Sequence, residues 1–321
     1  DGRRLAVGGR RDEWAMDPSR PTPGTLACEA PGGAAEPYVD RLLMGPGPVD
    51  VYPEALVAAS QPMIGHLDPA FLEILDETSD RLRTVFGTTN RLTFPISGTG
   101  SAGMQAAFAN WVRPGDVVVV GVNGVFGGRM CDVAERLGAE VVRVDHDWGQ
   151  PVSAERVLEA HPNPAIIAVV HAETSTGVRS DIDAIGAGKG DALLVMDCVT
   201  SVGGVPVSVD DWGVDIAYSG TQKCLGAPPG LSPFTANTRA LDRMLDRPTS
   251  WYLDLNLIAN YVMDGGGGRA YHHTAPINEI RAHHAALGAI LDEGLDEVHA
   301  RHAACGTALA KGLWERGFTP F

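Results

Sequence analysis

From Val117 onward, short runs of apolar and β-branched residues alternate with segments of helical spacing, and this alternation limits the chain to very few architectures. The runs are 117–120 (VVVV), 140–144 (EVVRV), 165–170 (AIIAVV), 192–197 (ALLVMD) and 215–220 (DIAYSG). Between them lie stretches such as GGRMCDVAERLG and SAERVLEAH. Strands that are apolar on both faces and separated by helices predict an α/β fold, a mainly parallel sheet covered by helices on both sides. In such sheets ligands collect beyond the carboxyl ends of the strands, so chemistry is sought in the residues that follow each run. From Glu279 the apolar residues recur at three- and four-residue intervals, which predicts a helix leading into a second domain.

Composition narrows the function. The chain has 321 residues, 44% of them hydrophobic and 20% charged, and a formal charge of −15. That charge opposes nucleic acid and anionic membrane surfaces as partners and favours small-molecule chemistry in a soluble protein. The five cysteines are odd in number, widely spaced and free of CxxC pairs. Neither a disulfide framework nor a zinc site is expected, and a reducing cytoplasm suits them. No metal is expected either, because the histidines come as adjacent pairs, His272 with His273 and His283 with His284, and neighbours on a helix face different ways.

Residues 1–40 are rich in Gly, Pro, Arg and Ala without apolar periodicity, and are expected to be disordered or an artefactual extension, with Met16 a candidate natural start. The expected layout is then a large domain over 41–290, including an N-terminal substrate-covering segment. The beginning of a small α+β domain follows over 291–321, which the sequence is expected to leave incomplete.

Only three lysines occur, Lys189, Lys223 and Lys311. Lys189, in GKGD, reads as a solvated turn residue, and Lys311 as an exposed residue of a late helix. Lys223 follows the strand DIAYSG and precedes CLGAPPG, too rich in Gly and Pro for regular structure, so it points into the crevice. Taken alone, a solvated strand-end charge remains the commoner account of such a lysine.

Its surroundings decide the matter. Asp197 ends the strand ALLVMD, where a carboxylate suits a protonated pyridine nitrogen and a cap or solvated end is the plain alternative. In ISGTGSAGMQAAF, Thr99, Gly100 and Ser101 open a helix whose free N–H groups and dipole suit a phosphate. The same stretch matches GxGxxG, but the acidic residue that a dinucleotide site needs at the end of the next strand is missing. Phe126 follows the strand at 117–120 and Thr174 the one at 165–170, so an aromatic, a hydroxyl, a carboxylate and a lysine stand in order at four strand ends. In this order they specify pyridoxal 5'-phosphate as the cofactor.

The sequence resembles the class V aminotransferases of fold type I, in particular the alanine–glyoxylate and serine–glyoxylate group. The matching motifs are LLMGPGP (42–48), MIGHLDPAF, SGTGSAGMQAA, GVNGVFGGR, ETSTGV, MDCVTSVGG, YSGTQKCLGAPPG and AYHHT (270–274). The resemblance implies that Lys223 holds the cofactor as a Schiff base and moves the proton at the substrate α-carbon, with Asp197 on the ring nitrogen. It implies Phe126, where relatives usually carry tryptophan, on one ring face, Val199 on the other and Thr174 on the ring hydroxyl. Thr99, Gly100, Ser101 and Gln222 would hold the phosphate. Tyr271 and Thr274 match a contribution made by the partner subunit, so a homodimer with shared sites is implied. Gly47 would meet the substrate carboxylate through its backbone. The implied reaction moves an amino group from alanine or serine to glyoxylate, with ureidoglycine–glyoxylate transamination, another class V pyridoxal-phosphate enzyme, or a truncated, cofactor-binding but inactive form as alternatives. The arginine with which the family grips the substrate carboxylate belongs to its C-terminal domain, and no arginine of this sequence is assigned to that task.

Overall fold

The computed structural model describes residues 43–263 and 268–319; the expectation for residues 1–40 lies outside them. Nine strands are described: β1 Leu92–Ser97, β2 Val117–Val122, β3 Glu140–Asp145, β4 Ile166–Val170, β5 Ala172–Glu173, β6 Val178–Arg179, β7 Leu193–Asp197, β8 Ile216–Tyr218 and β9 Leu231–Ala236. Seven form one sheet in the order β1-β9-β8-β7-β4-β2-β3. Pairing is parallel from β3 through β8, and β9 runs against both β8 and β1. β1 therefore points the same way as the parallel strands, and six carboxyl ends gather at one edge of the sheet. β5 and β6 form a separate two-stranded ribbon.

The α/β expectation is met, with alternation of side chains as its physical basis. Val118, Val120, Ile166, Ala168, Val170, Leu193, Val195 and Tyr218 enter one buried cluster, while Val119, Ile167, Val169, Leu194, Met196 and Ala217 enter another. Each strand is thus apolar on both faces because each face has its own core. The first cluster is closed by α2 (Pro69–Phe86, through Phe71 and Leu75), α3 (Gly100–Ala109), α4 (Val125–Arg136) and α8 (Leu255–Val262). The second is closed by the far end of α2 with α5 (Ala154–Glu159), α6 (Ile182–Gly188) and α9 (Ile277–Glu293). α1 (Pro53–Ala59) packs on α9 through Ala55, Ala282 and Ala286. A short α7 (Thr238–Leu241) follows β9. The helical pattern after Glu279 is two helices, because the chain breaks at Gly294 before α10 (Leu295–Trp314).

The Gly- and Pro-rich stretch 224–230 after Lys223 is turn without regular structure, as expected, and the chain then enters β9, which carries Pro233 opposite Pro95 of β1. One expectation is corrected. Lys189 is no solvated turn residue: its side chain is 12% exposed and pairs with buried Asp215. Burial pushes the Asp215 carboxyl up, but the bonds from Lys189, the Leu194 N–H and Asn237 outweigh it and hold the group below its ordinary range.

Candidate active site

Among the described residues five helix starts lack a bond from an N-cap side chain, those of α1, α3, α4, α9 and α10; of these, α3 and α4 border one cavity, and the first N–H groups of α4 are taken by Glu173 whereas those of α3 are not. α2, α5, α6, α7 and α8 are capped by the side chains of Asp68, Ser153, Asp181, Asn237 and Asp254. Thr99, at the N-cap of α3, makes no such bond, so no N-cap side chain claims the first N–H groups of that helix. They face a cavity of about 160 Å3 beyond the carboxyl ends of the parallel strands.

The cavity wall brings together Thr99, Gly100, Ser101, Phe126, Thr174, Asp197, Val199, Gln222 and Lys223. Asp197, the last residue of β7, is 3% exposed. One carboxylate oxygen accepts from the Val199 N–H and the other from the Tyr218 hydroxyl, each at 2.9 Å. Burial pushes its carboxyl up to about 6; these two bonds oppose the rise and the nearby Glu173 charge adds to it. A buried carboxylate with this balance is stabilised by any cation that enters the cavity.

Lys223 sits in the loop after β8 and donates to the Pro46 carbonyl at 3.3 Å. The 45–48 segment lies against it so closely that a Cβ on Gly47 would be 2.6 Å from Nζ, and Gly47 has φ 146°. Glycine suits the conformation, which other residues rarely adopt, and a side chain here would push the end of Lys223 aside. Gly47 therefore covers the lysine without joining the cavity wall.

Thr174 turns its hydroxyl toward Thr200 at 3.3 Å, and Thr200 donates to the Ala172 carbonyl at 2.7 Å. The amide oxygen of Gln222 is buried in the same wall with no partner among the described residues. The unclaimed α3 N–H groups and the cation-seeking Asp197 fit a group with an anionic end and a positive charge, while the orphaned Gln222 oxygen, an acceptor, calls for a donor at the same wall.

Tyr271 and Thr274 lie outside this cavity. Their hydroxyls are 3.3 Å apart, Tyr271 is 57% exposed, and its ring packs on His66 at 5.1 Å. The sequence pattern brought these two residues together but not to this chain's own site.

Three residues escaped the sequence reading. Tyr218, fully buried, is paired in register with Asp197, and strand register is invisible in a single sequence. Glu173, 1% exposed, accepts from the N–H groups of Phe126 and Gly127 at 3.1 and 3.3 Å and from the Ser175 hydroxyl at 2.7 Å. It caps α4 from another element and so orients Phe126. Gly124 leaves room for it, since a Cβ there would fall 2.5 Å from the Glu173 carboxyl carbon. Arg129, one turn beyond Phe126, lines the cavity with its guanidinium over the Phe126 ring at 4.8 Å; the i, i+3 spacing in VFGGR was its signal.

Comparison with known proteins agrees with this geometry. The family model for class V aminotransferases matches residues 50–320. The solved alanine–glyoxylate aminotransferase of Nostoc sp. is 46% identical with a TM-score of 0.84, over 89% of this chain and 77% of that one. The solved ureidoglycine–glyoxylate aminotransferase of Bacillus subtilis is 38% identical, also with a TM-score of 0.84, over 88% and 74%. Alanine–glyoxylate aminotransferase of Oryctolagus cuniculus is 37% identical over 263 residues, 80% of this chain and 67% of that protein. The chain spans about two thirds of the length of such curated relatives, 64–67%. With matches over most of its described length, this chain belongs to the class V aminotransferase family.

Proposed function

We propose that the chain carries the cofactor site of a pyridoxal 5'-phosphate-dependent transaminase that moves an amino group from a small amino acid, alanine or serine, to glyoxylate. The observation that carries this reading is a single cavity holding a lysine, a buried carboxylate without a cationic partner, and an uncapped helix start. The bound cofactor supplies an electron-withdrawing ring that accepts the electron pair released at the substrate α-carbon.

The rest is done by residues of the chain. Asp197 stabilises positive charge at the ring nitrogen, with the Tyr218 hydroxyl and the Val199 N–H fixing its two oxygens. Phe126 and Val199 supply apolar walls for the ring, and Thr174 a hydroxyl for its oxygen. The N–H groups of α3 at Gly100 and Ser101, with Thr99 and Gln222, take the phosphate. Lys223 would hold the carbonyl carbon of the cofactor through its side-chain nitrogen, and as a free amine it would serve as the base and acid that moves a proton at the α-carbon. Gly47 leaves backbone close to Lys223, where a substrate carboxylate has access to it.

Exposed Tyr271 and Thr274, adjacent to each other and away from this chain's cavity, support a homodimer in which each subunit completes its partner's phosphate site. Cys131 and Cys198, buried free thiols, support a reducing, cytoplasmic setting.

The test is to add pyridoxal 5'-phosphate to the purified chain and follow visible absorbance, then assay amino donors with glyoxylate. Pyruvate formed from alanine only when glyoxylate is present supports the reading, and no absorbance change on adding cofactor overturns it. The likeness to the ureidoglycine–glyoxylate enzyme keeps ureidoglycine in the donor panel, and preference for it would reassign the donor.

A further inference from the structure

Arg129 has no place in the chemistry derived so far, yet the structure holds it at the cavity with care. It lies one turn into α4, the helix that the Glu173 carboxylate fixes at its start. Its guanidinium sits over the Phe126 ring and donates to the Ser101 hydroxyl, on α3, at 3.3 Å. These contacts use one face and one N–H of a group with five donors. Among the described residues Arg129 makes no ion pair, and its remaining N–H groups take no carbonyl, unlike those of Arg113, Arg156, Arg243, Arg281 and Arg316, which lack ion pairs but donate to backbone carbonyls.

The charges around the cavity give this arginine its meaning. Its lining carries two cations, Lys223 and Arg129, and one anion, Asp197. Lys223 is committed to the carbonyl carbon, and Asp197 attracts positive charge. A phosphate at the start of α3 would thus have backbone N–H groups, hydroxyls and an amide, and only Arg129 as a full counter-charge from this chain. Charge-assisted bonds from a guanidinium to phosphate oxygens are about twice as strong as neutral ones. The Phe126 ring face holds the guanidinium beside Ser101, so little side-chain freedom is left to lose on binding.

We propose that Arg129 is a phosphate-binding residue of the cofactor site, its guanidinium supplying the counter-charge beside Ser101 at the start of α3. The proposal rests on the cofactor reading above, and it assigns to Arg129 affinity for the phosphate and not for the ring. Phe126 serves two purposes in this arrangement, as a wall for the ring and as a platform that aims the arginine.

The experiment measures dissociation constants for pyridoxal 5'-phosphate and for pyridoxal, which lacks the phosphate, with the unsubstituted chain, R129Q and R129K. In R129Q the affinity for pyridoxal 5'-phosphate is expected to fall about 10- to 100-fold, while that for pyridoxal stays within about twofold. R129K should recover part of the loss by restoring charge without the planar fork. Inorganic phosphate should compete with pyridoxal 5'-phosphate in the unsubstituted chain and much less in R129Q. Equal losses for both compounds would overturn the proposal, since Arg129 would then act on the ring or on the fold, and so would no loss for either. Failure of both compounds to bind the unsubstituted chain would instead remove the cofactor reading and this proposal with it.

Discussion

The two ends of the sheet each hold a lysine and an aspartate at strand termini, and they use them in opposite ways. At the amino end Lys189 pairs with Asp215, Arg239 adds a second cation at 3.0 Å, and the Leu194 N–H donates to the same carboxylate at 2.7 Å. These three charges satisfy one another. At the carboxyl end, among the described residues, Asp197 has neutral donors only, and Lys223 has only a carbonyl. The pull on the two carboxylates differs accordingly, with Asp215 held below its ordinary range and Asp197 pushed up to about 6. One end is a structural network, and the other stores unpaired charge that a ligand can satisfy.

The comparison is broken most severely by Asp215→Ala, which strands two cations at a buried site. Denaturant unfolding should show a loss of about 3–5 kcal/mol, with cofactor affinity unchanged in whatever fraction stays folded. Asp197→Asn should act with the opposite sign on the cofactor-free protein. Because the folded value of about 6 lies above the ordinary 3.8, the unfolded chain releases its proton first as pH rises. The ionised carboxylate then costs stability above pH 6 and nothing below about pH 4. Unfolding should show a gain for the variant of up to about 3 kcal/mol above pH 6 that vanishes near pH 4. Cofactor binding should weaken in the same variant. A cofactor-free Asp197→Asn protein that is less stable at pH 7 would place Asp197 with the structural end.

His283 gives a third case, a buried polar group with neither partner nor ligand. It is 0% exposed, both ring nitrogens lack partners among the described residues, and burial lowers its value from 6.5 to about 3. His283→Leu should stabilise the chain by about 1–3 kcal/mol at neutral pH. As pH falls below 6.5 the unfolded chain takes up the proton that the folded one refuses, so the advantage of leucine should grow by about 2 kcal/mol at pH 5. Paired melting curves at the two pH values check this. Glu173→Gln should have the smallest effect. Glutamine keeps an acceptor for the Phe126 and Gly127 N–H groups but turns its NH2 toward the Ser175 N–H, so stability should fall by about 1 kcal/mol, while loss of the charge beside Asp197 should lower the pH at which Asp197 titrates, as followed by NMR of the labelled carboxyl.

The same contrast explains what the sequence revealed. Strands apolar on both faces announce a covered sheet, and loops after such strands carry the chemistry, so Phe126, Thr174, Asp197 and Lys223 could be found in order. Lys189 could not be told from a solvated turn residue, because its partner Asp215 comes 26 residues later and only the sheet brings the two together. Tyr218 was hidden for a similar reason, since parallel register sets it beside Asp197. β9 was missed because Pro233 and the preceding Pro-rich turn argue against a strand, whereas Pro95 opposite it shows that the β1–β9 pair tolerates proline at that level. Glu173 acts across elements, which no local pattern reports, whereas the i, i+3 spacing of Phe126 and Arg129 on α4 was open to reading and only the bond from Arg129 to Ser101 needed the fold.

The central claim is that Lys223 holds the cofactor through its side-chain nitrogen. It is tested most directly by reducing the cofactor-loaded chain with borohydride, which fixes the cofactor on whichever lysine holds it, and mapping the added mass by peptide mass spectrometry. With three lysines in the sequence the answer is unambiguous. The expected result is added mass on the peptide containing Lys223, and its loss, together with the visible absorbance, in Lys223→Ala. Added mass on Lys189 or Lys311, or absorbance that survives Lys223→Ala, would contradict it.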